Sequence, residues 1–370
     1  MSAAADARWM RLALSLGARG QGRVWPNPAV GCVIVKDGRV LGRGWTRAGG
    51  RPHAETEALV QAGSEAHGAT AYVSLEPCNH HGKTPPCSDA LIAAGVARVV
   101  IAAQDPDPRT DGGGAARLRA AGIDVVTGVL ETEARQAHRG FFSRVLRGRP
   151  VLTLKLATSI DGRIATATGE SQWITGPEAR RVVHGMRARH DAVLVGAGTA
   201  RADDPSLTVR GLGIAQQPVR VVLSRRLDLP QGSALMRGAG DAPVWLCHGP
   251  DAPVAARAAW DASGARRLEV ATGPGGQLNL DEVMRALGEA GLTRVFCEGG
   301  GTLAAGLLLA DLVDDLVVMS AGLALGAEGT PAIGAIGIAA LDEAPRFALR
   351  FFDQVGGDVI SHWRRPVDEP

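Results

Sequence analysis

Apolar runs and helical periodicities alternate along the chain in the manner of a layered α/β protein. Residues 1–20, MSAAADARWMRLALSLGARG, set arginines among apolar residues and predict an amphipathic helix. Residues 29–36 (AVGCVIVK) are an apolar run that ends in Asp37-Gly38, and residues 39–45 resume after it, which is a hairpin signature. The pattern then predicts a helix over 53–61, a short strand over 70–74, a helix over 88–94 closed by Gly95, and a buried strand over 96–102. A helix over 114–121 ends at Gly122 before a strand over 124–127.

The stretch 141–150, FFSRVLRGRP, mixes arginines with a Gly and a Pro just ahead of a new apolar strand at 151–157, and this predicts a domain boundary near Arg147. The expected domains are 1–147 and 148–370. Strands are expected in the second at 192–195, 219–223, 244–247, 294–298 and 316–320, interleaved with helices such as 178–188 and 280–290. No internal repeat relates the halves.

Length supports this division, because 370 residues exceed one ordinary core. With 45% hydrophobic and 21% charged residues the composition is that of a globular protein. A net charge of +2, with arginines spread along the chain, offers no polycation for nucleic acid and suits a small, anionic substrate. Five cysteines are too few and odd in number for a disulfide framework, so a reducing cytoplasm is the expected setting. Neither a signal peptide nor a membrane span is expected.

Candidate chemistry concentrates in the first half. His53-Ala54-Glu55 opens a helix, Pro77-Cys78 follows the strand YVSLEP, and a loop returns to Cys87 at the next helix start. One imidazole and two thiolates can hold Zn2+ and leave a tetrahedral position open for the water that such a metal activates. Glu55, two residues from His53, can take the water's proton and pass it to a ring nitrogen and a departing amine. The H-x-E and later P-C pattern is that of zinc deaminases. A closed structural zinc with His80 or His81 as fourth ligand is the alternative, and the adjacent Glu55 argues against it. A tRNA or free nucleoside as substrate stays open at this point, although the modest charge disfavours it. Cys32, Cys247 and Cys297 lie in apolar strands and are expected in the core. His67 and His138 have no partner pattern and are expected to be solvated.

The interval between the cysteines, Asn79-His-His-Gly-Lys-Thr-Pro-Pro86, is far longer than the two-residue gap of cytidine and tRNA adenosine deaminases. Together with Asn27-Pro-Ala-Val-Gly31 and the HAE motif, it closely resembles the bifunctional riboflavin-biosynthesis deaminase/reductase family, and the resemblance covers nearly the whole chain. It implies an α/β protein with an N-terminal cytidine-deaminase-like three-layer domain and a C-terminal dihydrofolate-reductase-like domain that uses NADPH. The implied substrate is a small diamino-hydroxy-pyrimidine ribosyl phosphate, with no nucleic acid or membrane partner and room for a homo-oligomer. His80 and Lys83 then sit beside the metal as donors for a phosphate or ribose hydroxyl, and Asn27 is a candidate for the pyrimidine edge, with a turn-forming role as its rival. Asp105-Pro-Asp107-Pro matches a family turn and is assigned structure rather than chemistry. Two departures stand out: Thr46 where the family commonly has His, and His138 where it has Asn before Gly-Phe.

In the second half, Lys155-Leu-Ala-Thr-Ser-Ile-Asp161-Gly162 followed by Ser171-Gln-Trp173-Ile-Thr175 resembles the opening of the family's reductase domain. The resemblance implies Ala157 and Trp173 for NADPH and Ser171 for substrate; without it Trp173 would read as a core aromatic. Val195-Gly-Ala-Gly198-Thr199 leads into Ala202-Asp203-Asp204-Pro205-Ser-Leu207-Thr-Val-Arg210, and Arg201 stands where a dinucleotide fingerprint needs its third Gly, which excludes a Rossmann reading. By resemblance Thr199 and Asp203 contact NADPH, while Arg187, Leu207 and Arg210 face the substrate. Glu298-Gly-Gly-Gly301-Thr302-Leu303 opens an apolar helix whose free amides could bind the cofactor pyrophosphate. The family places Glu298 at the substrate and Gly300, Gly301, Thr302, Leu303, Ala304, Ala305 and Gly306 at NADPH. The implied chemistry is hydride delivery to the ribosyl C1, opening it to ribityl, and no side chain identifies itself as the proton donor.

Overall fold

The computed structural model describes residues 2–81, 85–273 and 275–366. Lys83 lies outside the described residues. The chain divides into two compact units, Met1–Gly148 and Arg149–Pro370.

The first unit runs α1 (Ala3–Gly17), β1 (Gly31–Lys36), β2 (Arg39–Trp45), α2 (Ala54–Ala62), β3 (Thr70–Val73), α3 (Cys87–Ala93), β4 (Arg98–Ile101), α4 (Gly113–Ala120), β5 (Asp124–Thr127) and α5 (Glu131–Arg147). Its five strands stand in the order β2-β1-β3-β4-β5, with β1 antiparallel to β2 and β3, and β3, β4 and β5 parallel. Alternation places successive residues of β2 on opposite faces. Gly31 and its partner Trp45 lie on the α1 side, where a Cβ on Gly31 would fall 1.9 Å from the Ala13 carbonyl oxygen. Gly44 lies on the other face, where a Cβ would fall 2.1 Å from the Ala54 carbonyl. Helices thus press on both sides of the sheet so closely that only glycine fits, and α2 is fixed beneath the strand ends.

The stretch 141–150 is not a linker throughout. Helix α5 runs through it to Arg147 and closes at Gly148 with φ 69°. Ala134, His138, Phe141 and Phe142 form its buried stripe at helical spacing. His138 is therefore in the core rather than solvated as expected, at 3% exposure, with Nε2 3.1 Å from the Ser74 carbonyl oxygen and 3.2 Å from Ser74 Oγ. His67 is exposed, and Cys32, Cys247 and Cys297 are buried in strands, as the apolar runs around them required.

In the second unit the order is β6 (Val151–Ser159), β7 (Arg163–Ala165), α6 (Pro177–Arg187), β8 (Ala192–Gly196), α7 (Ala197–Asp203), β9 (Val219–Leu223), α8 (Ala234–Arg237), β10 (Val244–His248), α9 (Val254–Ala262), β11 (Arg266–Glu269), α10 (Leu280–Glu289), β12 (Arg294–Cys297), α11 (Gly301–Leu309), β13 (Asp315–Ala321), β14 (Thr330–Pro331), β15 (Ala348–Val355) and β16 (Asp358–Arg364). Nine of these strands form one sheet, β11-β10-β9-β8-β12-β6-β13-β16-β15, parallel from β11 to β13 with an antiparallel β16-β15 edge. The chain leaves β6, builds outward from β8 to β11, and returns to insert β12 between β8 and β6. Adjacent connections diverge where the strand order reverses, and open α/β sheets place ligands in that crevice, at the carboxyl ends of the strands. Among the described residues no helix is long and apolar enough to cross a membrane.

A buried ion pair closes the first unit. Asp6 on α1 accepts from Arg98 Nη1 at 2.8 Å, Arg98 Nη2 at 2.9 Å and the Tyr72 hydroxyl at 2.8 Å, joining α1 to β3 and β4. The Arg98 hydrogen bonds hold the Asp6 carboxyl below its ordinary 3.8. Removing one partner of such a pair leaves a buried charge, so Asp6→Ala is expected to cost about 3 kcal/mol in denaturant unfolding at pH 7. The folded pKa is depressed, so the stabilisation is complete above the unfolded value and fades as pH falls through the folded one. The stability gap between wild type and Asp6→Asn should accordingly be widest near neutrality and close well below pH 3.8, as read by chemical unfolding at each pH.

Candidate active sites

Three segment ends meet in the first unit. His53 is the N-cap of α2 in extended conformation, Cys78 follows the end of β3, and Cys87 is the first residue of α3. His53 Nδ1 lies 3.3 Å from Cys87 Sγ and 3.6 Å from Cys78 Sγ, and the Cys87 amide donates to Cys78 Sγ at 3.3 Å. Zinc bonds of about 2.3 Å to sulfur and about 2.0 Å to nitrogen give a tetrahedron with edges of about 3.6 Å, so the donor set fits that ion. Among the described residues this is the one group of three or more His, Cys, Asp and Glu side chains whose ligand atoms all lie within 4.8 Å of one another. His80 is engaged elsewhere, its Nδ1 3.4 Å from Thr110 Oγ1, so the triad stands without a fourth protein ligand from His80 or His81.

The electrostatics suit a cation. Hydrogen bonds from Cys87 and His53 pull the Cys78 thiol down towards the thiolate, while the Cys78 sulfur and burial push Cys87 up. The hydrogen bond to Cys78 raises His53. Glu55 points inward from the first turn of α2, 3% exposed and hydrogen-bonded to the Cys87 side chain, and burial raises its carboxyl to about 7. A carboxyl poised near neutrality beside a metal triad can accept and return a proton.

The surrounding residues hold this arrangement in place. Asn27 Nδ2 donates to the Gly50 carbonyl at 2.8 Å, tying its turn to the loop that delivers His53. Thr46 is buried and accepts from the Val30 amide at 3.0 Å while donating to the Pro28 carbonyl at 3.1 Å, a structural task that a hydroxyl performs well. Asp105 accepts from the Asp107 amide at 2.9 Å, the turn expected of that motif. Sequence reasoning missed Glu76. Its buried carboxylate accepts from the amides of Gly112 at 2.9 Å, Ala115 at 2.9 Å and Asp105 at 3.3 Å, tying the Asp105 turn and the N-terminus of α4 to the Pro77-Cys78 segment. A charged residue two positions before a ligand, in an otherwise apolar strand, was the available signal.

In the second unit the reversal of strand order falls between β8 and β12, and most of the residues singled out there gather at the carboxyl ends of those strands. Gly300 donates to Thr199 Oγ1 at 3.1 Å, joining the start of α7 to the start of α11. Helix geometry leaves the amides of Gly301, Thr302 and Leu303 without intrahelical acceptors, a site suited to an anion. The neighbouring glycines answer to packing as well, since a Cβ on Gly301 would sit 2.6 Å from the Pro331 carbonyl oxygen. Glu298 receives Arg187 in a fork, Nε to Oε1 at 2.5 Å and Nη2 to Oε2 at 3.1 Å, and Lys155 Nζ lies 3.8 Å from Oε2. Burial pushes Glu298 up, and Arg187 and Lys155 outweigh it, leaving the carboxyl lowered. Burial lowers Lys155. Lys155 is the second residue missed as a functional group, although one lysine inside the run VLTLKLA was its signal.

Other placements divide. Leu207 has a positive φ of 54° and is 3% exposed, packed into the core of the second unit. The Arg210 amide donates to His184 Nδ1 at 3.2 Å while its side chain is exposed. Trp173 is 67% exposed with the Arg180 guanidinium 4.6 Å from its ring centre, so it is no core aromatic. Ala157 lies near the end of β6, Ser171 precedes α6, and Asp203 ends α7.

Comparison with known proteins follows these two sites. Residues 3–103 match the cytidine and deoxycytidylate deaminase zinc-binding region, and residues 150–361 match the RibD C-terminal domain. The riboflavin biosynthesis protein RibD of Escherichia coli (strain K12) is 42% identical over 96% of this chain and 98% of its own. The solved structure of Acinetobacter baumannii RibD, form 1, superposes with a TM-score of 0.89 at 37% identity, covering 99% of this chain and 100% of that one. A diaminohydroxyphosphoribosylaminopyrimidine deaminase/5-amino-6-(5-phosphoribosylamino)uracil reductase from Thermotoga maritima does so with a TM-score of 0.86 at 33% identity, covering 98% and 99%. A zinc-binding deaminase unit and a reductase unit in this order, matched over almost the full length, make the chain a member of the RibD family of riboflavin-biosynthesis enzymes.

Proposed function

We propose that the chain carries out two consecutive steps on one pyrimidine ribosyl phosphate. The first unit hydrolyses an amino group from 2,5-diamino-6-(5-phosphoribosylamino)pyrimidin-4-one. The second reduces the ribosyl group of the product to ribityl with NADPH, giving 5-amino-6-(5-phosphoribitylamino)uracil. The observation that carries this reading is the pairing, in one chain, of a buried Glu55 beside the His53, Cys78 and Cys87 donors with a part-buried Lys155, Glu298 and Arg187 cluster at the reversal of the second sheet.

In the deamination, His53 Nδ1 and the two sulfurs would hold zinc, which supplies Lewis acidity towards water and the ring. Glu55 accepts one proton of the attacking water and passes it to a ring nitrogen, then takes the second from the hydroxyl now on the ring carbon and passes it to the amine, which departs as ammonia while that carbon keeps the oxygen as a carbonyl. Its raised carboxyl is matched to that traffic. His80 and Lys83, which fall between Cys78 and Cys87 in the sequence, would be donors for the substrate's sugar or phosphate, and Asn27 would border the pyrimidine.

For the reduction, the amides at the start of α11 together with Ala157, Trp173, Thr199 and Asp203 would hold NADPH, which supplies hydride. Arg187, Arg210, Ser171, Leu207 and Glu298 would hold the substrate. Lys155 is the charged group best placed to release a proton, since burial weakens its hold on it, and the ribose ring oxygen that leaves C1 needs one. One hydride at C1 and one proton at that oxygen complete the opening to ribityl. Five cysteines without a disulfide suit a reducing compartment such as the cytoplasm.

Two experiments separate the sites. Glu55→Gln should lower ammonia release by about 10²- to 10⁴-fold and leave NADPH oxidation on pre-deaminated substrate unchanged, and loss of both activities would contradict independent sites. Lys155→Met should do the reverse, lowering the kcat of NADPH oxidation by about 10²-fold or more with ammonia release intact, and an unchanged kcat would remove Lys155 as proton donor.

A further inference from the structure

Strand β2 is an edge of the first sheet, and one side of it opens into a concavity of about 430 Å³ lined by residues of α1, β2 and α2 and the turns beside them. None of the lining residues belongs to the zinc site. Arg43 and Trp45 share the face of β2 opposite Gly42 and Gly44, which press on α2. At Arg43 the edge is capped by a side chain, because the Arg43 amide donates to Gln61 Oε1 at 2.6 Å. What remains is a polar pocket whose charges do not cancel.

Three guanidinium groups line it against one carboxylate. Arg47 is committed: Nε and Nη2 donate to Glu57 Oε2 at 2.8 and 2.6 Å, and its guanidinium stacks 4.0 Å from the Trp45 ring centre. Arg19 lies 5.0 Å from the same ring. Neither Arg19 nor Arg43 has a carboxylate partner among the described residues, so two positive charges are uncompensated at the mouth of the cavity. Stacking on Trp45 holds Arg19 part-ordered before any ligand arrives, which lowers the entropy lost on binding.

We propose that this pocket, which shares no lining residue with either active site, binds a small phosphorylated metabolite. A phosphate monoester carries about −1.5 to −2 charge at neutral pH and three strong acceptor oxygens, which matches two unpaired guanidinium groups. The volume lies within the range of about 300–1,000 Å³ usual for small-molecule sites and exceeds what a bare phosphate needs. Arg19 and Arg47 stack on Trp45, so recognition rests on charge rather than on a stacked base. Val60, 80% exposed on the rim, offers apolar surface to a sugar or alkyl carbon.

Calorimetric titration of the full chain at low ionic strength with inorganic phosphate, and separately with ribose 5-phosphate, tests the site. Either anion can also enter the active sites, so the reading is the difference between wild type and Arg19→Ala/Arg43→Ala, two exposed positions outside the catalytic machinery. The wild type should show a binding event that the double variant loses or weakens by about tenfold or more, with ribose 5-phosphate the tighter ligand. Glu57→Gln, which releases Arg47, should tighten the same event. Superimposable isotherms for wild type and double variant, or no response to Glu57→Gln, would overturn the proposal.

Discussion

A charged side chain taken out of water costs several kcal/mol unless a partner meets it, and both sites of this chain are built by meeting that demand from separate elements. Glu55 is buried with His53 and the Cys87 side chain beside it, and these offset only part of the burial, which leaves its carboxyl raised to about 7 and ready to trade a proton. Glu298 is largely enclosed, its side chain 10% exposed, where Arg187 arrives from α6 and Lys155 from β6. In each case the charge is stable only when strands and helices hold their register, so the fold and the chemistry stand or fall together.

Register in the first unit rests on close backbone contact. With Gly31 against α1 and Gly44 against α2, the helices sit directly on the strand backbones, and the α2 N-terminus is set where β3 ends. Glu76 then anchors the Asp105 turn and the N-terminus of α4 by accepting the amides of Asp105, Gly112 and Ala115, which fixes the segment that leads from β3 into Cys78. In the second unit the equivalent role falls to topology: inserting β12 between β8 and β6 brings Glu298, Thr199 and the α11 amides to one edge.

Much of this was legible in the sequence because the signals are local. The hairpin at Asp37-Gly38, the apolar strands around Cys32, Cys247 and Cys297, and the helices capped by Gly95 and Gly122 follow from periodicity and turn chemistry. The zinc donors could be read because metal ligands are restricted to few residue types, and His53, Glu55, Cys78 and Cys87 fall at segment ends. The misses are tertiary. His138 is a polar residue on the buried stripe of α5, where its ring meets the Ser74 carbonyl and hydroxyl oxygens from a distant segment. Glu76 follows the apolar strand β3 and Lys155 lies within the apolar strand β6, and their partners are 29 to 143 residues away in the chain, as for Glu76 with Asp105 and Lys155 with Glu298. The C-terminal hairpin of β15 and β16 has no clear alternation, since β15 is exposed along nearly its whole length.

The central claim is an order: water and zinc chemistry first, hydride second, on one molecule. Wild-type protein with the diamino-pyrimidine ribosyl phosphate and no NADPH tests it directly by mass balance. Ammonia should appear to one equivalent of substrate with the ribosyl group intact, and NADPH added afterwards should be oxidised in the same one-to-one amount. Consumption of NADPH ahead of ammonia release, or no ammonia until NADPH is present, would contradict the account.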